Sequence, residues 1–161
     1  MLVHNQFGVL NRVTSMFRRR QFNIDNLTVS ETESPDYSRI TVQFAGERVT
    51  KQQLVDQLYK LPDVCSIREL DNENSVSFEL LLIKLKNDPA SRGDIMAAAD
   101  AFEAKTVDYT RESIVLRVTA DSRRIDDFID LMRDYEILEI CRTGVVSLER
   151  GADTIRKVTN L

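Results

Sequence analysis

One ordered pattern occurs twice along this chain, and it restricts the fold more than any other feature. Apolar alternation and helical stripes follow one another as β-α-β-β-α-β, first over residues 1–68 and again over 76–148. In the first copy, residues 1–4 form a short apolar strand and Asn5-Gln6-Phe7-Gly8 a turn. Val9, Leu10, Val13, Met16 and Phe17 then recur at helical spacing, with Arg12, Ser15, Arg18 and Arg19 opposite, which predicts an amphipathic helix over 9–20. Residues 22–29 and 37–44 predict a hairpin turned at Ser34-Pro35-Asp36. Phe22 and Ile24 share one parity and Leu27 and Val29 the other, so a bulge is expected near Asp25–Asn26. Thr50 is placed as the cap of a second helix carrying Leu54, Val55, Leu58 and Tyr59 and closed by Pro62; residues 64–68 are the fourth strand.

The second copy opens on a strand over 76–86 whose Leu80-Leu81-Leu82-Ile83 run reads as buried on both faces. A helix follows on Ile95, Met96, Ala99 and Phe102, with Ser91 or Asp88 at its start. A hairpin is then expected around Arg111–Glu112, a helix capped by Asp121 or Ser122, and a last strand region over 137–148 broken at Gly144. The expected organisation is a first domain over 1–70, a polar linker over 71–75, a second domain over 76–150 and a loose polar tail over 151–161. The fold class is α+β: two tandem ferredoxin-like βαββαβ domains, each with helices on one face of an antiparallel sheet. The other face and the edge strands need cover, which a side-by-side homodimer would supply.

Composition narrows the function. With 22 basic against 26 acidic residues the formal charge is -4, whereas nucleic-acid binders usually carry a basic excess. No apolar stretch approaches the roughly 20 residues of a membrane span, and residues 1–5 lack the pattern of a signal peptide. The two cysteines have no metal-ligand spacing around them, and the cytoplasm is the expected location. His4 is the single histidine, and no nucleophile elbow, Walker loop, H-E-x-x-H or C-x-x-C occurs. The expectation is therefore no catalytic residue, no metal site and no cofactor in this chain.

The segment from His4 to Leu10 is where binding chemistry is concentrated. Gly8 permits positive φ and a close backbone approach. The N–H groups of Val9 and Leu10 open the helix and suit a carboxylate. Asn5 can accept from an ammonium group or donate to a carboxylate, while Val9, Leu10 and Ile24 offer apolar surface to a small aliphatic side chain. These features alone favour a tight β-to-α turn over core residues above a ligand site. His4 reads as a hydrogen-bonded structural residue, Arg18–Arg20 as complement to the helix C-terminus, and Cys65 and Cys141 as small apolar core residues of strands.

The segment Asn5-x-x-Gly8-Val9-Leu10-x-Arg12-Val13, followed by Arg20-x-Phe22-Asn23-Ile24-x-x-Leu27-Thr28-Val29, resembles an ACT domain. More narrowly, the chain resembles the small regulatory subunit of acetolactate synthase, also called acetohydroxyacid synthase. Ser38-Arg39-Ile40-Thr41 agrees, as does Arg142-Thr143-Gly144-Val145-Val146-Ser147-Leu148-x-Arg150-Gly151 in the second domain. His4 and Phe7 stand where the family often has an acidic residue and a proline. The resemblance implies a non-catalytic subunit that activates a separate catalytic subunit carrying thiamine diphosphate, magnesium and FAD. It also implies feedback inhibition by a branched-chain amino acid, foremost valine. The effector would bind between the ACT domains of a homodimer, with Asn5, Gly8, Val9 and Leu10 from one protomer and Asn23 and Ile24 from the other. Two other classes compete: a stand-alone ACT-domain sensor acting on a different target, and an RNA-binding ferredoxin-like module. The latter needs exposed aromatics of one parity and a basic surface, but Tyr37 and Phe44 differ in parity and the charge is acidic.

Overall fold

The computed structural model describes all residues except 46, 47, 72 and 159–161. The chain divides into two compact units, one of residues 1–77 together with those from 145 onward, the other Phe78–Gly144.

In the first unit β1 (Leu2–His4) leads into α1 (Val9–Arg19), β2 (Asn26–Glu31) and β3 (Tyr37–Gln43) form the hairpin, and α2 (Arg48–Leu58) precedes β4 (Val64–Ser66). The antiparallel sheet runs β2-β3-β1-β4, the ferredoxin-like order. Helical spacing puts Val9, Val13 and Phe17 on one stripe of α1; they close the core with Val3, Ile40, Leu54, Leu58 and Val64.

The expected bulge is absent. The chain leaves α1 through Gln21 at φ 59, Phe22 N–H bonds back to Phe17 O at 3.0 Å, and strand pairing begins only at Asn26. Phe22 and Ile24 thus reach the core from a connecting segment, which frees them from strand parity. Thr50 lies inside α2 rather than capping it, since the helix already includes Arg48; the residues that precede the helix fall outside those described.

The second unit repeats the order with β5 (Ser75–Lys86), α3 (Arg92–Ala101), β6 (Lys105–Tyr109), β7 (Ser113–Ala120), α4 (Ser122–Met132) and β8 (Ile137–Arg142). Its sheet runs β6-β7-β5-β8, so corresponding strands hold the same places in both units, and β9 (Val146–Glu149) pairs with β5. Ser91 is the N-cap residue of α3 without a side-chain bond, and Asp88 Oδ1 accepts from Ala90 N–H at 2.9 Å. Asp121 caps α4 by accepting from Arg124 N–H at 2.9 Å. Leu81, Ile83 and Leu85 are fully buried beneath α3 and α4. Leu80 and Leu82 are half-exposed on the opposite face, which corrects the expectation of burial on both. The alternation of a sheet covered on one side explains it.

The loose tail is also corrected. Ile155 is buried within a short 3-10 turn over Ile155–Val158, and Ser66 Oγ donates to its carbonyl at 2.9 Å. Arg156 pairs with Glu33 at 2.9 Å and stacks over Tyr37, while Arg68 reaches Glu149 at 3.6 Å. These contacts lie on the sheet face away from α1 and α2. Leu2 and Ser66 are neighbours in register on that face and are 1% and 0% exposed. Burial there pulls the Arg39 guanidinium below its ordinary pKa, opposed by Glu149 and Glu33.

Candidate functional site

The turn between β1 and α1 is held from three sides. Asn5 N–H donates to Asp36 O at 2.7 Å and His4 N–H to Asp63 O at 2.8 Å, which tie the end of β1 to the β2–β3 connection and to the start of β4. His4 stacks on Tyr37 with ring centroids 5.2 Å apart, a structural contact made by stacking and not by the hydrogen bond expected of it. Arg12, one turn into α1, donates from Nε to the buried Asp63 carboxylate at 2.8 Å and from Nη1 to Phe7 O at 3.5 Å. The guanidinium therefore lies against the turn and fixes it to β4.

Gly8 is the N-cap of α1 with φ 78, as its place in the turn requires. A Cβ there would stand 3.1 Å from Arg12 Nη1, so the guanidinium occupies the space that a larger residue would need. Val9 N–H makes a long bond to Gln6 O at 3.4 Å and its side chain is a core residue. Of the pair expected to offer free donors, Leu10 is the one whose N–H has no acceptor among the described residues; Asn11 N–H joins it. Together they leave two donors at the helix start, the arrangement that suits an anion. Phe7 is fully exposed and Leu10 is 40% exposed, so an apolar surface adjoins these donors.

Both N–H bonds of the Asn5 amide are engaged, with Glu31 Oε1 at 3.1 Å and Pro35 O at 2.9 Å. Both partners are acceptors, which fixes the nitrogen toward them and leaves Oδ1 as the open end. Of the two roles open to Asn5, the accepting one survives. Asn23 bonds to Asp25 at 3.3 Å and Ile24 packs half-buried on the core; among the described residues no hydrogen bond joins either to the Asn5–Leu10 turn. The sequence alone assigns Glu31, Pro35, Asp36 and Asp63 no role at the site, because that role depends on strand register and not on local pattern. Arg12 stood in the quoted motif, but its partner 51 positions away gave no local sign.

In the second unit the closing motif has structural work. Arg142 donates to the buried carboxylate of Glu79 and to Asp126 Oδ1 at 2.7 Å, and Ser122 Oγ donates to the other oxygen of Glu79. The bond to Glu79 leads the causes that hold the Arg142 pKa above its ordinary value. Thr143 exchanges two bonds with the Leu80 backbone, N–H to O at 3.0 Å and Oγ1 from N–H at 3.1 Å, before Gly144 turns at φ 90. In the first unit Ser147 Oγ meets Ser77 Oγ at 2.7 Å. Among the described residues no group of acidic, His and Cys side chains could hold a metal, and no helix is long and apolar enough to cross a membrane.

Residues 1–66 match the family model of the AHAS small subunit-like ACT domain, and residues 78–151 that of the small subunit of acetolactate synthase. A probable acetolactate synthase small subunit of Archaeoglobus fulgidus is 44% identical over 94% of each chain. The acetolactate synthase small subunit of Bacillus subtilis is 41% identical over 94% of this chain and 88% of its own. The crystal structure of the acetolactate synthase small subunit from Thermotoga maritima superposes with a TM-score of 0.88 at 35% identity, covering 95% of this chain and 96% of that one. With matches across both units and in near full-length register, the chain belongs to the family of acetolactate synthase small subunits.

Proposed function

We propose that this chain is a non-catalytic subunit that activates a thiamine-diphosphate-dependent acetolactate synthase catalytic subunit and makes it sensitive to valine or another branched-chain amino acid. The observation that carries the reading is the Gly8 turn. N–H groups at the start of α1 and an amide oxygen on Asn5 that are unbonded among the described residues, and exposed apolar surface at Leu10, lie within one short segment. That combination suits the three parts of an aliphatic α-amino acid: a carboxylate, an ammonium group and a branched side chain. Val9 supports the turn from beneath, with its N–H turned to Gln6 O and its side chain in the core. Asn23 and Ile24 complete the pocket from a second protomer in this reading, since a single turn on an open surface cannot enclose a ligand. Thiamine diphosphate, magnesium and FAD belong to the catalytic partner.

The test is reconstitution. Purified chain is mixed with its catalytic subunit, and acetolactate formation is measured with and without valine, leucine and isoleucine. Activation of the catalytic subunit, and suppression of that activity by at least one of the three, is the expected result. No change in turnover or in its response to all three amino acids would overturn the reading.

A further inference from the structure

We infer that Glu31 is the residue that reads the ammonium group of the effector, acting beside Asn5. The inference rests on the reading of the Gly8 turn as an amino-acid site and adds the group that distinguishes an amino acid from other small carboxylates.

Glu31 is the last residue of β2, paired in register with Ser38 of β3, so its position is set by the sheet. Its Oε1 accepts from Asn5 Nδ2 at 3.1 Å. With Pro35 O on the second N–H and Asp36 O on the backbone N–H of Asn5, three bonds join the hairpin end to the turn. One consequence is orientation: a reversed Asn5 amide would put its oxygen against a carboxylate and a carbonyl, so Glu31 helps hold Oδ1 outward as an acceptor. The other is charge. A carboxylate has about four acceptor positions, and Asn5 uses one of them here. A cation hydrogen-bonded to Asn5 Oδ1 would sit on the same amide whose nitrogen contacts that negative charge, so the carboxylate attracts it. The ligand carboxylate is left to the N–H groups of Leu10 and Asn11, so the two ends of a zwitterion meet opposite charges at opposite ends of the turn.

The competing role is purely mechanical: Glu31 clamps the hairpin to the turn and senses no ligand charge. A ligand pair separates the two. L-Valine and the matching 2-hydroxy acid share a carbon skeleton and a carboxylate, and differ in ammonium against hydroxyl. Binding of each to the full-length chain is measured by calorimetry for the wild type, Glu31→Gln and Glu33→Gln. Glu33 is a nearby acid that faces Arg156 and controls for general charge. Wild type should prefer valine. Glu31→Gln should weaken valine about tenfold, as expected for loss of a charged partner, and leave the hydroxy acid unchanged. Glu33→Gln should leave the preference intact. Equal weakening of both ligands by Glu31→Gln, or no weakening of either, overturns the role of Glu31 while the amino-acid site stands. A wild-type chain that binds none of the branched-chain amino acids overturns both.

Discussion

Arg12 Nε and Asp63 Oδ2 meet at 2.8 Å beneath the Gly8 turn, and the same guanidinium reaches Phe7 O. The pair links the first turn of α1 to the start of β4, and Asp63 also accepts the His4 N–H through its own carbonyl. Asp63 has a side chain only 11% exposed, whereas Arg12 is 43% exposed, so the pair is half-solvated and modest in energy. Asp63→Asn should cost about 1 kcal/mol of stability in urea denaturation. Its larger effect should fall on effector binding, because the turn loses a lateral support. Several-fold weaker valine binding is expected, with Arg12→Lys closer to wild type than Arg12→Ala. Unchanged valine affinity in Arg12→Ala would show that the pair is a fold contact only.

Glu79 and Arg142 present the opposite case, with the carboxylate fully buried and the cation its main partner. Removing the cation alone leaves a buried negative charge on which Ser122 is the remaining donor among the described residues. Arg142→Ala should therefore cost about 2–4 kcal/mol, and Glu79→Gln together with Arg142→Ala should recover part of that loss. Circular dichroism against urea reads both. A double variant no more stable than Arg142→Ala would mean that packing of the arginine stem, not the stranded charge, dominates.

Periodicity made the repeat legible, because each helix has a 3.6-residue stripe and each strand a two-residue alternation that a buried face enforces. The Asn5–Gly8 turn was legible for a similar reason, since a glycine between an apolar strand and an amphipathic helix has few uses. What periodicity does not encode is what covers a face. Leu80 and Leu82 looked like core because the run is apolar at both parities, yet the helices lie on one side. Ile155 stands in a short, mostly polar tail where only Val158 and Leu161 are further large apolar residues, too few to announce a buried element, but it packs where Leu2 and Ser66 are buried. The groups that orient Asn5, the Glu31 carboxylate and the Pro35 backbone carbonyl, lie 26 and 30 positions away, brought close by the register of β2 and β3.

The buried place of Ile155 gives a direct test of the C-terminal segment. Ile155→Ala removes side-chain volume from a site only 7% exposed and should cost roughly 1–3 kcal/mol, below the upper range for deep cores because a short 3-10 turn can settle. Thermal unfolding followed by circular dichroism is the measurement. A variant as stable as wild type would mean that the segment contributes nothing to the first unit.

The two thiols should differ in reactivity. Burial first, and then the Asp63 charge, push the Cys65 thiol above its ordinary pKa, so at pH 8 less of it is the reactive thiolate. Cys141 is exposed. Titration of the native chain with a disulfide reagent should show one fast thiol, lost in Cys141→Ser, and one slower by roughly tenfold or more. Two equally fast thiols would contradict the burial of Cys65.

Gly8→Asp tests the turn most directly. The backbone there has φ 78, and a non-glycine residue in that region costs roughly 1–2 kcal/mol, at the low end for Asp. The new Cβ would approach Arg12 Nη1 to 3.1 Å, the flexible end of a long side chain, so the guanidinium can yield and the fold should survive. The introduced carboxylate has two favourable neighbours: the Arg12 cation, which it would draw away from Asp63, and the N–H groups at the start of α1. Either way it places negative charge where the effector carboxylate is proposed to sit. Valine binding should fall tenfold to a hundredfold, corresponding to about 1.5–3 kcal/mol. Gly8→Ala separates strain from charge: it carries the backbone cost without the carboxylate and should lose less. Activation of the catalytic subunit should persist in Gly8→Asp if that surface lies apart from the turn. Calorimetry decides the binding half, and wild-type valine affinity in the Asp variant would place the effector site elsewhere on the chain.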